Sequence, residues 1–334
     1  MKLLVPQGIG DIFWASLKAK NIAEKYGNGV VDLRIACWYK TDIESRALDF
    51  VKRFDFVHSA EMYAMPHAGN QGPVLLPGAL CTPEGYYRYL PDGYTDQYKD
   101  IDYIAIPNYA LERGISIKDW LPEVDIDYNI LQDNFKFTDE EEEFGNNFRN
   151  RYGNYVVFFC SSLTSNTVEG HNRLGRFSTK EWLALGEYFT KLGLNVILIG
   201  AKWDFDYYEQ ELKPKIKAKR QWFNYIDQLP IFLTIQVIKN AKFLISYQSG
   251  LGIISNYLTS YYDMDGKPSS CRTAMWWRAY GDSISANMFT SFNEKMNYCW
   301  TKPGTVELGQ YMPCIYGKHG VPEILDFIKK YNWL

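Results

Sequence analysis

The residues best suited to chemistry lie near the start of the chain, in the turn Gly8-Ile9-Gly10-Asp11. An apolar stretch at 2–5 precedes this turn and a stretch with helical periodicity at 12–26 follows it, which predicts a strand, a glycine turn and a helix. Open α/β sheets bind ligands at the carboxyl ends of their strands. Asp11 is therefore placed either to accept a proton from a bound substrate or to stabilise the helix N-terminus.

This turn departs from the dinucleotide-binding fingerprint Gly-x-Gly-x-x-Gly. Phe13 stands where the third glycine is needed, and its ring would hinder the close approach of helix and strand. The carboxylate of Asp11 would also repel a pyrophosphate. The residues therefore argue against a nicotinamide cofactor.

A second group of polar residues follows the apolar strand predicted at 155–160. Ser161 and Ser162 come directly after that strand, and Arg173, Arg176 and Lys180 lie around the start of the next helix. Hydroxyl groups, cations and free backbone N–H groups are what bind a phosphate. The alternative interpretation is a surface loop whose arginines bind no ligand.

A third group lies where another strand, predicted at 243–246, passes into a helix. The junction contains Gln248, Ser249 and Gly250, and a serine-glycine turn of this kind directs free N–H groups above the sheet. This junction also suits a phosphate. Each of the three groups is a modest signal by itself, and their order and spacing along the chain carry the argument.

Metal-binding patterns are weak. Asp-x-Asp pairs occur four times, at 100/102, 125/127, 204/206 and 263/265, and none follows a long buried strand. The six cysteines are scattered without a Cys-x-x-Cys pair, and the four histidines lack the spacing of metal ligands. We therefore expect no metal site, and reduced cysteines in a cytoplasmic protein.

Strands and helices alternate along most of the chain, which is typical of parallel α/β folds. The segment 65–98 is the exception, because it is rich in Gly, Pro and Tyr and has the length of a functional loop. We predict two doubly wound, Rossmann-like domains facing a cleft. The first spans 1–134 and the second 135–320, and a C-terminal helix at 321–334 is expected to pack back on the first domain.

The overall composition describes an ordinary globular protein. The chain has 334 residues, a net charge of −3 and 22% charged residues, so nothing suggests strong nonspecific binding to duplex DNA. We find no signal-peptide pattern and no apolar run of the length that crosses a bilayer.

The order of these three groups resembles the heptosyltransferase-like family of GT-B glycosyltransferases. That family has Gly-Asp in its first turn, matched by Gly10-Asp11. It then has a Lys-Arg-Trp-Pro-x-x-x-Trp pattern, matched in part by Gly175-Arg176-Phe177-Ser178 and Trp182. Its Asp-Ser-Gly-x-x-His motif corresponds to residues 248–253. The match departs from the family where Gly175, Gln248 and Ile253 replace a lysine, an aspartate and a histidine.

The resemblance implies an inverting transfer of a sugar from a nucleotide-sugar donor to a hydroxyl acceptor such as a glycan or lipopolysaccharide. Asp11 is then the general base in the acceptor domain, beside the glycine turn of Gly8 and Gly10. The donor-binding residues in the second domain are Ser161, Ser162, Arg173, Arg176, Lys180, Gln248, Ser249 and Gly250. No metal and no cofactor beyond the nucleotide-sugar substrate are implied.

Two other functions remain open from the sequence. The basic run 213–220 and the Tyr-rich segment suggest a phage-type glycosyltransferase acting on modified, hydroxymethylated DNA bases. The losses at Gln248 and Ile253 suggest a catalytically degenerate protein that only binds a nucleotide or carbohydrate. Acceptor specificity is expected within 65–120.

Overall fold

The structure, a computed structural model, describes residues 1–5, 8–37, 43–64, 100–104, 121, 123–160, 178–247, 250–255, 257–258, 273–276, 321, 322, 325 and 329. Within these residues the chain forms two compact units, the first ending at Lys136 and the second beginning at Phe137. Each unit is built on its own parallel sheet.

The first unit alternates strands and helices. Its elements are β1 (Lys2–Val5), α1 (Ile9–Tyr26), β2 (Val31–Cys37), α2 (Ile43–Val51), β3 (Val57–Ala64), β4 (Tyr103–Ile104) and α3 (Ile130–Asp133). The sheet order is β3-β2-β1-β4, so Leu3 of β1 pairs with Leu33 on one side and Tyr103 on the other. Residues 3–5 are fully buried, as expected for a central strand covered on both faces.

Buried aromatic side chains pack together where the first unit ends. The ring centroid of Phe135 lies 5.2 Å from that of Phe50 and 5.0 Å from that of Phe54. All three rings are buried, and Phe54 and Phe135 also form a backbone bridge. Each aromatic pair contributes about 0.5–1.5 kcal/mol beyond its buried area. The chain is therefore fixed to α2 just before it enters the second unit.

The second unit has a five-stranded sheet. Its elements are α4 (Asp139–Tyr152), β5 (Tyr155–Phe159), α5 (Thr179–Lys191), β6 (Asn195–Leu198), α6 (Phe205–Tyr207), α7 (Lys213–Ile216), β7 (Trp222–Asn224), α8 (Ile231–Lys239), β8 (Leu244–Tyr247), α9 (Gly250–Ser255) and β9 (Thr273–Trp276). The sheet order is β7-β6-β5-β8-β9. Its first four strands in chain order therefore have the same arrangement as those of the first unit.

From the sequence, Thr138 and Ser178 are expected to begin helices because their hydroxyl groups can cap a helix N-terminus, and the structure confirms both starts. Each of these residues is the N-cap of its helix, and each forms a capping box with the glutamate three residues later, Glu141 or Glu181. A capping box satisfies two backbone N–H donors that would otherwise lack partners. These two sequence signals fix where α4 and α5 begin.

The described part of the C-terminal helix contacts the second unit. Val321 and Leu325 pack against the hydrophobic core around β5 and α5, and the Lys329 ammonium lies 5.8 Å from the ring centre of Tyr188. Packing of this helix on the first unit stays a prediction. Among the helices that the structure describes, none has the length and apolar character needed to cross a membrane.

Several elements differ from their predicted form. Helix α1 begins at Ile9, three residues earlier than expected, because Gly8 is the N-cap and the glycine turn is already helical. The sequence alone predicts only a short strand at 56–58, but strand β3 runs from Val57 to Ala64. It is an edge strand with a half-exposed, mixed sequence, so it lacks the apolar run by which buried strands are recognised.

The first sheet contains a carboxylate whose charge stabilises the fold. The Ser59 hydroxyl donates to Asp32 Oδ1, and the Nδ1 atom of His58 lies 3.0 Å from the same oxygen. The Ser59 hydrogen bond and then the His58 contacts hold the pKa of Asp32 below its usual value, although partial burial opposes them. A lowered folded-state pKa stabilises the protein above the unfolded pKa, and this stability is lost as the pH falls through the folded pKa.

We therefore expect Asp32→Asn to lower the free energy of unfolding at pH 7. Its effect should become smaller as the pH falls below the usual carboxyl pKa of about 4 and through the lower pKa of the folded protein. Urea unfolding of both proteins at pH 7 and at acidic pH measures this difference. Asp49→Asn, at an exposed position of α2, is the matched control. An equal destabilisation by Asp32→Asn at both pH values would contradict the assignment.

Candidate functional site

Both sheets have a topological switch point, where consecutive connections leave the central strand in opposite directions. In the first sheet this point lies between β1 and β4, and in the second it lies between β5 and β8. Open α/β sheets bind ligands outside the carboxyl ends of the strands at such points. The three polar groups singled out in the sequence follow β1, β5 and β8, so all of them leave a sheet at a switch point.

The glycine turn of the first unit is the start of α1. Gly8 is in an extended conformation with φ −69° and ψ 136°, and its carbonyl accepts a hydrogen bond from the N–H of Ile12 at 2.8 Å. The N–H groups of Ile9, Gly10 and Asp11 precede this first helical bond, so they have no partner within the helix. Gly10 is buried. The turn thus brings the positive end of an 18-residue helix to the ligand edge of the sheet.

Asp11 is the third residue of α1. This is a position where an acidic residue is favoured by the helix dipole, and it also lies at the carboxyl edge beside the switch point. The backbone position is therefore compatible with both roles considered for Asp11, the general base and the helix-stabilising acid.

In the second unit, β5 and β8 end side by side. Phe159 of β5 pairs with Ser246 of β8, so Cys160 and Tyr247 occupy adjacent positions at the carboxyl ends of these two strands. The predicted donor residues Ser161, Ser162, Arg173, Arg176, Gln248 and Ser249 lie outside the described residues. Gly250, also predicted, is the first residue of α9, a helix of six residues.

Helix α5 begins at the same edge of the second sheet. The Glu181 carboxylate accepts from the Ser178 N–H at 2.6 Å and from the Ser178 hydroxyl at 2.8 Å. It thus places a negative charge at the N-terminus of α5, which disfavours a phosphate there. Lys180 is exposed in the first turn and has no ion-pair partner among the residues that the structure describes. Any phosphate here depends on cationic side chains rather than on the N-terminus of α5.

In the aspartate pair after β6, Asp204 has a structural role. Asp204 is 1% exposed, and its Oδ2 atom accepts a hydrogen bond from the Ala201 N–H at 2.7 Å. A Cβ atom on Gly200 would lie 2.8 Å from that same oxygen, so glycine is needed there. Burial and then the Asp204 charge raise the pKa of the Cys160 thiol, which keeps it protonated. Asp204 therefore fixes the loop after β6, and Asp206 is exposed.

In two more of the aspartate pairs, both in the first unit, one carboxylate accepts hydrogen bonds from nearby residues of that unit. The Asp102 carboxylate accepts from the Lys2 N–H at 2.8 Å, at the amino edge of the sheet, opposite to the ligand edge. The Asp127 carboxylate accepts from Asn129 N at 3.0 Å and from Asn134 Nδ2 at 2.6 Å. The part of the chain that the structure describes contains no group of three His, Cys, Asp or Glu residues suited to a metal. The pair 263/265 lies outside this part.

The basic run 213–220 forms ion pairs with neighbouring glutamates. Lys213 contacts Glu209 at 2.6 Å, and Lys219 contacts Glu187 at 2.6 Å. A longer pair joins Lys215 to Glu211 at 3.6 Å. Three of the positive charges of this run are thus balanced within the second unit, which reduces its attraction for a polyanion.

Lys202 is a candidate cation that was not among the predicted site residues. Lys202 is exposed four residues after the end of β6, at the same carboxyl edge as Lys180. A lysine that closely follows a parallel strand is the signal that would have identified it, because loops at this edge carry the ligand contacts of α/β folds. Lys202 adds a second described cation at this edge of the second sheet.

Comparisons with known proteins were made by sequence and by structure. No protein-family model matches this chain, and no curated protein matches it at the level of sequence. Solved structures do match. The heptosyltransferase WaaC of E. coli, solved with ADP, is 11% identical, with 99% of this chain and 100% of that chain covered and a TM-score of 0.53.

A glycosyl transferase of family 9 from Veillonella parvula is similarly close in structure. It is 8% identical to this chain, with 99% of this chain and 96% of that chain covered and a TM-score of 0.55. Identities this low establish a common fold and nothing further. The fold expected from the sequence is thereby confirmed: the chain has the heptosyltransferase-like GT-B fold, with two α/β units on parallel sheets.

Proposed function

We propose that this protein is an inverting glycosyltransferase that moves a sugar from a nucleotide-sugar donor to a hydroxyl acceptor. The observation that carries the proposal is the position of the three polar groups, each following a strand that borders a switch point. Ligands bind at such points in open α/β sheets. The common fold with solved glycosyltransferases supports the same function.

In the proposed reaction the acceptor oxygen attacks the anomeric carbon of the donor sugar. The new bond to carbon forms as the bond from carbon to the diphosphate oxygen breaks, so the configuration inverts. Asp11 accepts the proton of the acceptor hydroxyl, a role that contributes about 10²–10⁴-fold to the rate. The nucleoside diphosphate leaves with the electron pair of the broken bond.

The departing diphosphate needs positive charge or N–H donors beside it. Arg176 is the proposed principal partner, because a guanidinium binds two phosphate oxygens in a fixed geometry. Arg173, Lys180, Ser161, Ser162, Gln248, Ser249 and Gly250 complete the proposed donor set. The reaction is proposed to need no metal, and the scattered cysteines support a cytoplasmic location.

The two alternatives are distinguished by their ligands. The ion pairs of Lys213, Lys215 and Lys219 weigh against DNA as the acceptor, because those cations are already partnered. A degenerate protein would bind a nucleotide and consume no donor. Gln248 and Ile253 are the residues that favour this second alternative.

Binding of nucleoside diphosphates tests the donor side. We expect one of ADP, UDP or GDP to raise the melting temperature of the wild type by several degrees without added metal. A ligand at 100 times its Kd stabilises a protein by about 2.7 kcal/mol. Arg176→Ala should weaken this binding by about 10–100-fold, since a charge-assisted hydrogen bond contributes roughly 1.5–3 kcal/mol.

Arg220→Ala, at an exposed position in the basic run, is the matched control and should bind as the wild type does. Equal binding by Arg176→Ala and wild type would remove Arg176 from the donor site. Absence of a shift with every nucleotide at millimolar concentration would reject the proposed donor class.

A further inference from the structure

Three segments of the second unit meet at the amino ends of its strands. Asn195, at the start of β6, donates its N–H to the Asn154 carbonyl at 3.0 Å and its side-chain Nδ2 to the Tyr152 carbonyl at 2.7 Å. The next residue, Val196, donates to the Gln221 carbonyl at 2.8 Å. The end of α4, the end of α5 and the basic run before β7 therefore lie at one edge of the sheet, opposite to the ligand edge.

Positive charge is in excess in these segments, which the structure describes throughout. They are 149–155, 187–195 and 213–222. The first contains two lysines or arginines, the second one and the third five, against a single acid, Glu187. Glutamates beside Lys213, Lys215 and Lys219 neutralise three of these eight cations, and Arg149 donates to a backbone carbonyl at 3.2 Å.

The other four cations are exposed and have no ion-pair partner among the described residues. They are Arg151, Lys191, Lys217 and Arg220. The guanidinium of Arg151 lies 5.3 Å from the ring centre of Tyr152, which is itself fixed to β6 through Asn195. This amino-edge surface thus offers four positive charges to a partner.

An apolar side chain lies on the same surface. Leu192, next to Lys191 at the end of α5, is 51% exposed, the highest value among the large apolar side chains exposed in the described part of the chain. One helical turn earlier, Tyr188 is half-buried, and the exposed Lys329 lies 5.8 Å from its ring centre. A leucine surrounded by cations matches an anionic bilayer, whose headgroups attract the charges while its interface accepts the apolar group.

We propose that the amino-edge surface of the second unit binds an anionic lipid bilayer, with Leu192 inserted among the headgroups. Each lysine or arginine near such a surface strengthens binding by about fivefold. A nucleic acid would use the cations alone and leave Leu192 in water. The surface lies at the opposite end of the strands from the candidate site, so this inference does not depend on glycosyl transfer.

The test is co-sedimentation of the full chain with vesicles of phosphatidylcholine alone and of an equal mixture of phosphatidylcholine and phosphatidylglycerol. We expect at least 10-fold tighter binding to the anionic vesicles, and weaker binding as salt screens the charges. Equal affinity for both vesicles, or binding to neither, would overturn the proposal. Tighter binding to a DNA duplex than to the anionic vesicles would assign the surface to nucleic acid instead.

A charge-removal variant locates the binding surface. Lys191→Gln, Lys217→Gln and Arg220→Gln together should weaken binding to the anionic vesicles by about 100-fold, from about fivefold for each cation. The control removes three exposed lysines from other parts of the surface and should lose much less; its changes are Lys52→Gln, Lys136→Gln and Lys202→Gln. Equal losses in the two triple variants would show that this edge is not the binding surface.

Leu192→Ser tests insertion. It should weaken binding to the anionic vesicles by about 10-fold, because the leucine loses its transfer out of water. Phe205→Ser, at another exposed apolar side chain near the ligand edge, should bind as the wild type does. Melting temperatures of all variants show that each is folded. Wild-type binding by a folded Leu192→Ser protein would overturn the insertion of Leu192.

Discussion

Replacement of Asp11 by Asn should lower sugar transfer by about 10²–10⁴-fold while leaving the fold and nucleotide binding intact. The amide cannot accept the proton of the acceptor hydroxyl, so the attacking oxygen remains a poor nucleophile. The carboxylate also lies in the first turn of α1, where an acid stabilises a helix by roughly 0.3–1 kcal/mol. That contribution affects the free energy of unfolding and is far too small to explain such a loss of rate.

Asp11→Glu separates the two roles. It keeps a negative charge in the first turn of α1 but moves the carboxylate by one methylene, and a displacement of about 1 Å can cost about 10²-fold in rate. Glu141→Gln removes an acid from the same position of α4 and should reduce stability with little effect on the rate. Full activity in a correctly folded Asp11→Asn protein would leave Asp11 as a helix-stabilising acid only.

Replacement of Gly186 by Ala should destabilise the second unit strongly, although alanine is the better helix former. Gly186 lies in the middle of α5 against the indole of Trp222, and an added Cβ atom would lie 1.9 Å from Cζ2 and 2.3 Å from Cη2 of that ring. The indole is held in turn by Phe158, with ring centroids 5.9 Å apart. Overpacking a core costs about 1–3 kcal/mol or more, and the gain in helix propensity is about 1 kcal/mol. Because an approach of 1.9 Å is severe, we take the upper end of the overpacking cost and expect a net loss of about 2 kcal/mol.

A double-mutant cycle with Trp222→Leu tests the cause. In the Trp222→Leu protein the ring atoms near position 186 are gone, so Gly186→Ala should be neutral or stabilising there. Urea unfolding of the four proteins gives the coupling free energy between the two positions. An equal destabilisation by Gly186→Ala in both backgrounds would show that Trp222 is not the obstacle.

The parts of the fold that were predictable share a strong local pattern. The apolar run of β5 predicted a buried strand, and its five residues are all buried. The change from apolar to polar residues alone predicted that Gly-Asp follows the end of β1 and that the serines follow the end of β5. The switch points themselves were not predictable from periodicity, because strand order depends on contacts between distant segments.

Other elements lacked a local signal. The three-residue strand β7 and the helical segment from Lys202 to Ile216 are short or irregular, with a π-helical turn at Tyr208–Leu212. The burial of Asp204 was likewise not predictable from the sequence. An Asp-x-Asp pair has the same sequence pattern whether its carboxylates bind a ligand or accept hydrogen bonds from a loop backbone. Tertiary contacts decide such cases, and only the structure contains them.

The capping box at the N-terminus of α5 is a feature of the site that also could not be predicted from the sequence alone. Ser178 and Glu181 were recognisable as a capping pair, but their spacing also fits a helix that leaves its N-terminus free for phosphate. The hydrogen bonds of the Glu181 carboxylate decide between these, and they shift the proposed anion contacts onto Arg176 and Lys180.

Consumption of a nucleotide sugar is the measurement that tests glycosyl transfer most directly. Wild type and Asp11→Asn are incubated without metal with ADP-, UDP- and GDP-sugars and a mixture of oligosaccharides, and the released nucleoside diphosphate is quantified. The account predicts that the wild type releases the nucleotide from one donor class and that Asp11→Asn releases at least 100-fold less. Release from no donor by a folded wild-type protein, or equal release by both proteins, would contradict it.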